Sequence, residues 1–140
     1  MTCGEIMTRS VVCCVPEDTI EHAATLMKSE GVGPVPVIES HASRRLIGIV
    51  TDRDLVVKGI AEGRDTKSTK IKEIMTDHPI ACFEKDDVDD AINLMSDYKV
   101  RRIPVVDDSN HILGIIAQAD IATRLGKTKK TGDVVEDISE

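Results

Sequence analysis

The chain repeats itself, and the repeat constrains its fold more than any other feature. Shifted by 68 residues, Glu5-Ile6-Met7-Thr8 falls on Glu73-Ile74-Met75-Thr76, Asp18 on Asp86, Ala23 on Ala91, Leu26-Met27 on Leu94-Met95, Val32 on Val100 and Pro36-Val37 on Pro104-Val105 without a gap. After Ile38 and Val106 the shift becomes 66, so that Leu46-Ile47-Gly48-Ile49 matches Ile112-Leu113-Gly114-Ile115 and Asp54 matches Asp120. The two residues are lost in the polar stretch 39–45, where a hairpin loop tolerates a change of length. Such self-similarity marks a duplicated supersecondary unit that must share its core with its copy.

Within each copy the hydrophobic period changes. Ile20, Ala23, Ala24 and Met27 form a helical stripe behind the capping sequence Asp18-Thr19-Ile20-Glu21, and Val88, Ala91, Ile92 and Met95 repeat it. Val35–Ile38 and Leu46–Val50 are β-branched runs around a polar loop, the pattern of a hairpin. A second helix is expected from about Asp52 to Glu62, stopped by Gly63, with a counterpart from Gln118 to Leu125 before Gly126. With leading strands at Val11–Val15 and Ile80–Phe83, each copy reads β-α-β-β-α. The fold class that follows is α/β (α+β): two repeats packed sheet to sheet with pseudo-two-fold symmetry, each burying the other's apolar face. The expected boundaries are 1–63 and 73–126, joined by a polar linker 64–72. They are followed by a charged tail 127–140, in which Val134, Val135 and Ile138 would line one side of a short helix.

Composition narrows the function. A chain of 140 residues with 41% hydrophobic side chains supports one sizeable core, not a multidomain enzyme. A net charge of -7 argues against nucleic acid as a partner, and the near absence of aromatics (Phe83 and Tyr98, no Trp) removes a base-stacking platform. No apolar run approaches the ~20 residues that span a bilayer, nor is there a signal-peptide pattern, so no membrane and a cytoplasmic location are expected. Cys3, Cys13, Cys14 and Cys82 lack zinc-ligand spacing and read as reduced thiols, with no metal. Neither GxxxxGK[ST] nor GxGxxG occurs, and His22, His41, His78 and His111 have no nucleophile set beside them in sequence. No catalysis and no required cofactor are expected.

The doubled segments Gly48-Ile49-Val50-Thr51-Asp52-Arg53-Asp54 and Gly114-Ile115-Ile116-Ala117-Gln118-Ala119-Asp120 carry a resemblance. So do the Val35-Pro36-Val37-Ile38 and Ile103-Pro104-Val105-Val106 strands and the Ile-Met-Thr leaders. Together they resemble the tandem cystathionine β-synthase (CBS) domain pair, or Bateman module, over nearly the whole chain. Through GIVTDRDLVVKGIAEG the chain is similar to stand-alone bacterial two-CBS proteins of the hypoxic response type. The resemblance implies a regulatory sensor that binds AMP, ADP, ATP or a related adenosyl compound in an inter-repeat cleft, associates as a homodimer and acts on an unidentified regulated protein.

The residues fit that implication. A strand ends and a helix begins at Thr51, where free N–H groups suit a phosphate and the threonine adds a hydroxyl. Asp54, with Arg53 beside it, places a carboxylate where two ribose hydroxyls could bond. The plain alternative is that Thr51 or Asp52 merely caps the helix and Asp54 is a favourable first-turn acid. By analogy with the family, His78, Pro79, Ile80 and Ala81 would complete the cleft around adenine, with Ile103 and Pro104 alongside. Arg101 and Arg102 would reach the phosphates, unless they are simply solvated. The pseudo-symmetric cleft, near Val12, Val35, Pro36 and Asp120, is expected to be weaker. There Ala117 replaces Thr51, while Gly33 and Pro34 replace the two arginines. The alternative to sensing is a dimerisation or protein-interaction module with empty clefts. Sequence leaves open which adenosyl ligand is taken.

Overall fold

The computed structural model describes residues 1–124; the tail and its expected helix, and the helix stop at Gly126, lie outside the described residues. Two compact units are present, each with its own three-stranded sheet.

The unit Val12–Pro79 is built on the first repeat. Helix α2 (Ile20–Glu30) starts at Thr19, whose side chain accepts from the His22 N–H at 3.1 Å, and stops at Gly31 with a left-handed φ of 64°. Its Ile20, Ala23 and Met27 are buried, as the spacing requires, whereas Ala24, expected in the same stripe, is exposed at the stripe's edge. Strands β1 (Val35–Ile38) and β2 (Leu46–Val50) pair antiparallel from Val35↔Val50, with a bulge at Val37/Ile38. All four residues of β1 are buried, whereas β2 alternates. Cys14, Val35, Val37, Val50, Ile71 and Ile74 join the helix in one core.

Two expectations are corrected in this unit. The leading strand Val11–Val15 contracts to a single parallel bridge, Cys14 to Val37. The second helix is α-helical only over α3 (Asp52–Asp54) and widens into a π-helix over Leu55–Ile60 before the left-handed Gly63. The wide turn brings the bare Cα of Gly59 against Ile20, where a Cβ would lie 3.2 Å from Cδ1. The polar linker 64–72 is bonded into this unit. Ile20 N–H donates to the Thr69 carbonyl and Ile71 N–H to the Asp18 carbonyl, while Glu17 pairs with Lys70 and Lys72. A segment whose backbone groups are bonded this way is part of the unit.

The second unit joins Met1–Val11 to the residues from Ile80 onward. Strand β4 (Cys82–Phe83) runs parallel to β5 (Arg102–Val106), which pairs antiparallel with β6 (Ile112–Ala117). The expected leading strand Ile80–Phe83 is therefore two residues long. Helix α4 (Val88–Tyr98) is capped by Asp87 and buries Val88, Ala91, Ile92 and Met95; α5 (Gln118–Arg124) follows β6. The short helix α1 (Cys3–Ile6) is tied on by Cys3 N–H to the Asp86 carbonyl and Gly4 N–H to the Glu84 carbonyl.

The leaders are exchanged. Thr8, from the first repeat, bridges Ile115 in β6, and β3 (Thr76–Asp77), from the second repeat, pairs with Ile49 and Gly48 in β2. Gly48 and Gly114 admit them: a Cβ on Gly114 would stand 2.6 Å from the Thr8 carbonyl oxygen, and one on Gly48 would stand 2.8 Å from Met75 Sδ. The compact units therefore cross the sequence boundaries drawn at 63 and 73.

Candidate functional site

Each unit carries one strand-to-helix turn with an aspartate folded back over it. In the first unit β2 ends at Val50 and Thr51 caps α3. Thr51 Oγ1 accepts the Asp54 N–H at 3.1 Å, and Asp54 Oδ2 accepts the Thr51 N–H at 2.9 Å. This reciprocal box satisfies two helix-start donors, so the plain capping role holds for both residues. Asp54 is nonetheless placed for more than capping. Its other oxygen, Oδ1, faces Lys58 Nζ at 3.4 Å, one turn along, and the side chain is only 13% exposed. Lys58 is a cation that sequence reading missed, although its i+4 spacing from Asp54 was visible. Arg53 is exposed on the same turn.

Within its own unit this turn has further neighbours. Gly33 accepts the Asp52 N–H through its carbonyl at 3.1 Å, and its bare Cα lies so near the Asp52 carboxylate that a Cβ would stand 3.2 Å from Oδ1. Gly33 and the half-buried Pro34, with buried Val35 and Pro36, therefore border Thr51 and Asp54. Val12 is half-buried in the same unit. His78 and Pro79 also belong to it, just after β3; His78 is exposed and holds a left-handed φ of 51° directly before the proline. That conformation is uncommon for a non-glycine residue and disfavoured before proline.

In the second unit β6 ends at Ala117. Asp120 Oδ2 accepts the Ala117 N–H at 3.1 Å, reproducing the Asp54 geometry without a capping hydroxyl from residue 117. A hydroxyl is supplied from elsewhere: Thr8 Oγ1 donates to Asp120 Oδ2 at 3.3 Å. No sequence signal at Thr8 pointed there, because its placement depends on the leader exchange. Arg101 and Arg102 border this turn. The Arg101 carbonyl accepts the Gln118 N–H at 2.9 Å, and Arg102 pairs with Ala117 across β5 and β6. Arg101 is exposed, Arg102 half-buried, and Ile103 and Pro104 beyond them are buried. Ile80 and Ala81, both half-buried, are in this unit too.

Sequence reading grouped the arginines with Thr51 and Asp54, and Gly33-Pro34 with Ala117 and Asp120. Both groupings draw on two repeats. Within its own unit Gly33 meets Asp52 at the Thr51 turn, and the Arg101 carbonyl accepts from Gln118 at the Ala117 turn. Each of these residues leads into the strand that pairs with the end of its own repeat's second strand. Each turn thus has a carboxylate, a hydroxyl and at least one cation near it.

Outside the turns, His22 lies 3.8 Å from Asp18 and His111 3.1 Å from Asp107, both pairs at i,i+4 spacing on the surface. Asp107 also accepts the Ser109 and His111 N–H groups, which holds its carboxyl below the usual range and marks it as a turn residue. Burial pushes the Cys14 thiol up to about 12 and that of Cys13 upward. Among the described residues no group of three or more His, Cys, Asp or Glu side chains could hold a metal ion, and no helix is long and apolar enough to cross a membrane. An open hollow of about 880 Å³ in the second unit lies along Gly4, Thr8, Arg9, Ser10, Glu84 and Lys85, beside the hydroxyl that reaches Asp120. A smaller apolar groove of about 290 Å³ in the first unit is lined by Ile20, Ala24, Met27, Leu55, Val56 and Ile60 among others.

Comparison with known proteins gives the same architecture. The model of the CBS domain matches twice, at residues 3–59 and 71–127. Hypoxic response protein 1 of Mycobacterium tuberculosis is 32% identical over 89% of this chain and 85% of its own length. A crystal structure of that protein with two coordinated zinc ions superposes with a TM-score of 0.79 at 31% identity, covering 88% of this chain and 98% of the other. The CBS domain pair of protein MJ0100, solved in complex with 5-methylthioadenosine and S-adenosyl-L-methionine, gives 0.76 at 28% identity over 90% of this chain and 96% of the other. CBSX2 of Arabidopsis thaliana, solved in complex with AMP, gives 0.77 at 25% identity over the same shares.

Proposed function

This chain belongs to the CBS domain family, and from that premise we propose that it is a non-catalytic regulatory module that binds an adenosyl compound, an adenine nucleotide first among them. The observation that carries the reading is the pair of strand-to-helix turns. Asp54 and Asp120 are each fixed through Oδ2 by a cap N–H. A carboxylate held by one oxygen keeps acceptor capacity for ribose hydroxyls, and the helix start beside it favours a phosphate. Lys58 and Arg53 near the first turn, and Arg101 and Arg102 near the second, supply the cations. The distribution favours two usable turns rather than one strong and one weak. Matching ligands in the solved relatives MJ0100 and CBSX2 support the class of compound. Occupancy can regulate a partner only by favouring one conformation over another.

The test is a thermal-shift and calorimetric comparison of AMP, ADP, ATP and S-adenosylmethionine on wild type, Asp54→Asn and Asp120→Asn. Asparagine keeps an acceptor for the cap N–H and removes the charge. Loss of a charge-assisted bond to the ribose, about 1.5–3 kcal/mol, weakens binding by roughly 10- to 100-fold at the altered turn. A ligand at 100 times its dissociation constant stabilises the wild type by ~2.7 kcal/mol. Stabilisation by none of the four compounds would refute the reading.

A second reading, homodimerisation as the chain's main business, is favoured by exposed Val56, Val57 and Ile60 beside the apolar groove of the first unit. Light scattering that finds a monomer at high protein concentration, with and without nucleotide, removes it.

A further inference from the structure

The carboxylate at the first turn shares its charge with a cation held in place from two sides. Asp54 Oδ2 is committed to the Thr51 N–H at 2.9 Å, while Oδ1 stands 3.4 Å from Lys58 Nζ. The same ammonium lies 3.4 Å from the Ile74 carbonyl oxygen, on the segment that leads into Met75 and β3. Lys58 therefore spans from the turn to the exchanged leader. Both acceptors are fixed, since the Asp54 side chain is 13% exposed and Ile74 is buried. An ammonium has three N–H donors. Two of them face these oxygens at distances long for a charged hydrogen bond. The third is open to solvent, for the Lys58 side chain is 46% exposed.

The helix that carries Lys58 is unusual in the same place. Lys58 lies in the π-helical stretch Leu55–Ile60, whereas α5, which follows Asp120, is α-helical over Gln118–Arg124. Single π-turns are rare and occur frequently at functional sites. Here the wide turn seats Gly59 against Ile20 and leaves Lys58 facing Asp54 and Ile74.

We propose that Lys58 is the specificity-determining residue of the Asp54 turn, selecting adenosyl compounds with a 5′-phosphate over those with a 5′-sulfonium or an uncharged 5′ group. This rests on the adenosyl reading and deepens it. Charge balance decides the preference. Around the turn stand two carboxylates, Asp52 and Asp54, and two cations, Arg53 and Lys58. Asp52 is engaged locally, accepting the Arg53 N–H at 2.9 Å through Oδ1. A ribose gripped by its 2′ and 3′ hydroxyls at Asp54 carries its 5′ substituent a few bonds away, close enough for the charges to interact. Unopposed, a carboxylate largely withdrawn from water repels a phosphate and attracts a sulfonium. The Lys58 ammonium reverses that order, because it cancels Asp54 and offers its third N–H to a phosphate oxygen. For adenosine, with no charge at the 5′ position, Lys58 makes little difference.

The experiment is calorimetric titration of the intact chain with AMP, adenosine and S-adenosylmethionine, on wild type, Lys58→Gln and Lys58→Arg. Asp54→Asn identifies the part of each isotherm that belongs to this turn. Glutamine keeps an N–H for the Ile74 carbonyl and removes the charge; arginine keeps the charge. Lys58→Gln is expected to weaken AMP about tenfold, the worth of one ammonium near a phosphate at a half-exposed site. Adenosine should stay within about twofold, as for a surface substitution the ligand does not feel. S-adenosylmethionine should bind more tightly, and Lys58→Arg should keep the wild-type order. A merely structural Lys58 would weaken all three compounds alike. Equal losses for the three, or a wild type that takes adenosine or S-adenosylmethionine more tightly than AMP, overturns the inference and leaves the adenosyl reading standing. Binding of none of them to wild type removes both. If Lys58→Gln fails to fold, Lys58→Met makes the same comparison.

Discussion

Gly114→Ala tests whether the exchanged leader is a packed part of the second unit. A methyl at this position would meet the Thr8 carbonyl oxygen at 2.6 Å, Met7 Sδ at 2.7 Å and Met7 Cγ at 2.9 Å. The sulfur can swing away; the carbonyl cannot, because Thr8 and Ile115 exchange two backbone hydrogen bonds at 2.8 and 3.0 Å. Relief requires the leader to lift off β6. Overpacking of this kind costs about 1–3 kcal/mol, and weakening two backbone bonds adds about 1 kcal/mol each. The stiffer unfolded chain returns roughly 0.4–1 kcal/mol. The net loss is about 2–5 kcal/mol, a Tm fall of the order of 10 °C for a chain of this length. Gly48→Ala should cost about half as much, since its nearest neighbour is the mobile Met75 Sδ at 2.8 Å and the Thr76 carbonyl is at 3.0 Å. Urea unfolding followed by far-UV circular dichroism measures both. A Gly114→Ala variant within about 0.5 kcal/mol of wild type, well below an overpacking cost, or a Gly48→Ala variant that is the worse of the two, would refute the reasoning.

Two further outcomes follow from local geometry. Glu17, between Lys70 and Lys72, has its carboxyl held at about 2 by those two ammonium groups. A depressed carboxylate stabilises above its unfolded pKa and loses that contribution as pH falls through the folded value. Wild type should therefore be more stable than Glu17→Gln near neutrality, and acid titration of both unfolding midpoints should show the gap closing between about pH 4.5 and pH 2. The effect is small at this exposed site and should shrink in high salt. At Gly31, φ is 64° with nothing within 4 Å of a Cβ, so Gly31→Ala should cost about 1 kcal/mol through backbone strain alone. Gly31→Asn should recover part of that loss in the same urea assay.

What sequence made legible was everything with a local period. Stripes at Ile20, Ala23, Met27 and at Val88, Ala91, Ile92, Met95, and the paired β-runs, emerged as helices and hairpins because side-chain spacing alone decides which face is apolar. The bulge after Val37 and after Val105 even recurs in both copies. Partner choice was not legible. Alignment places Glu5–Thr8 at the head of the first repeat, but which sheet it joins depends on tertiary contact. The available sign was a glycine inside an otherwise β-branched run, Gly48 and Gly114, which signals close approach of another backbone. The surroundings of each turn are set in the same way. Asp54 and Thr51 were found from the turn they make, whereas the neighbours of each turn within its unit follow from strand pairing, which sets Arg102 opposite Ala117 and brings Thr8 to Asp120. Helix widening after Asp54 had no sequence mark beyond Gly59.

Duplication usually leaves two parts that can be cut apart, and the crossed leaders forbid it here. A fragment ending at residue 63 would lack Thr76–Asp77, leaving the outer edge of β2 with unpaired backbone groups and an empty niche over Gly48, while its own Thr8 would have no β6 to join. Such a fragment carries both a vacancy and a loose segment shaped for the corresponding vacancy in the other repeat. Its simplest remedy is to lend that segment to a neighbouring molecule.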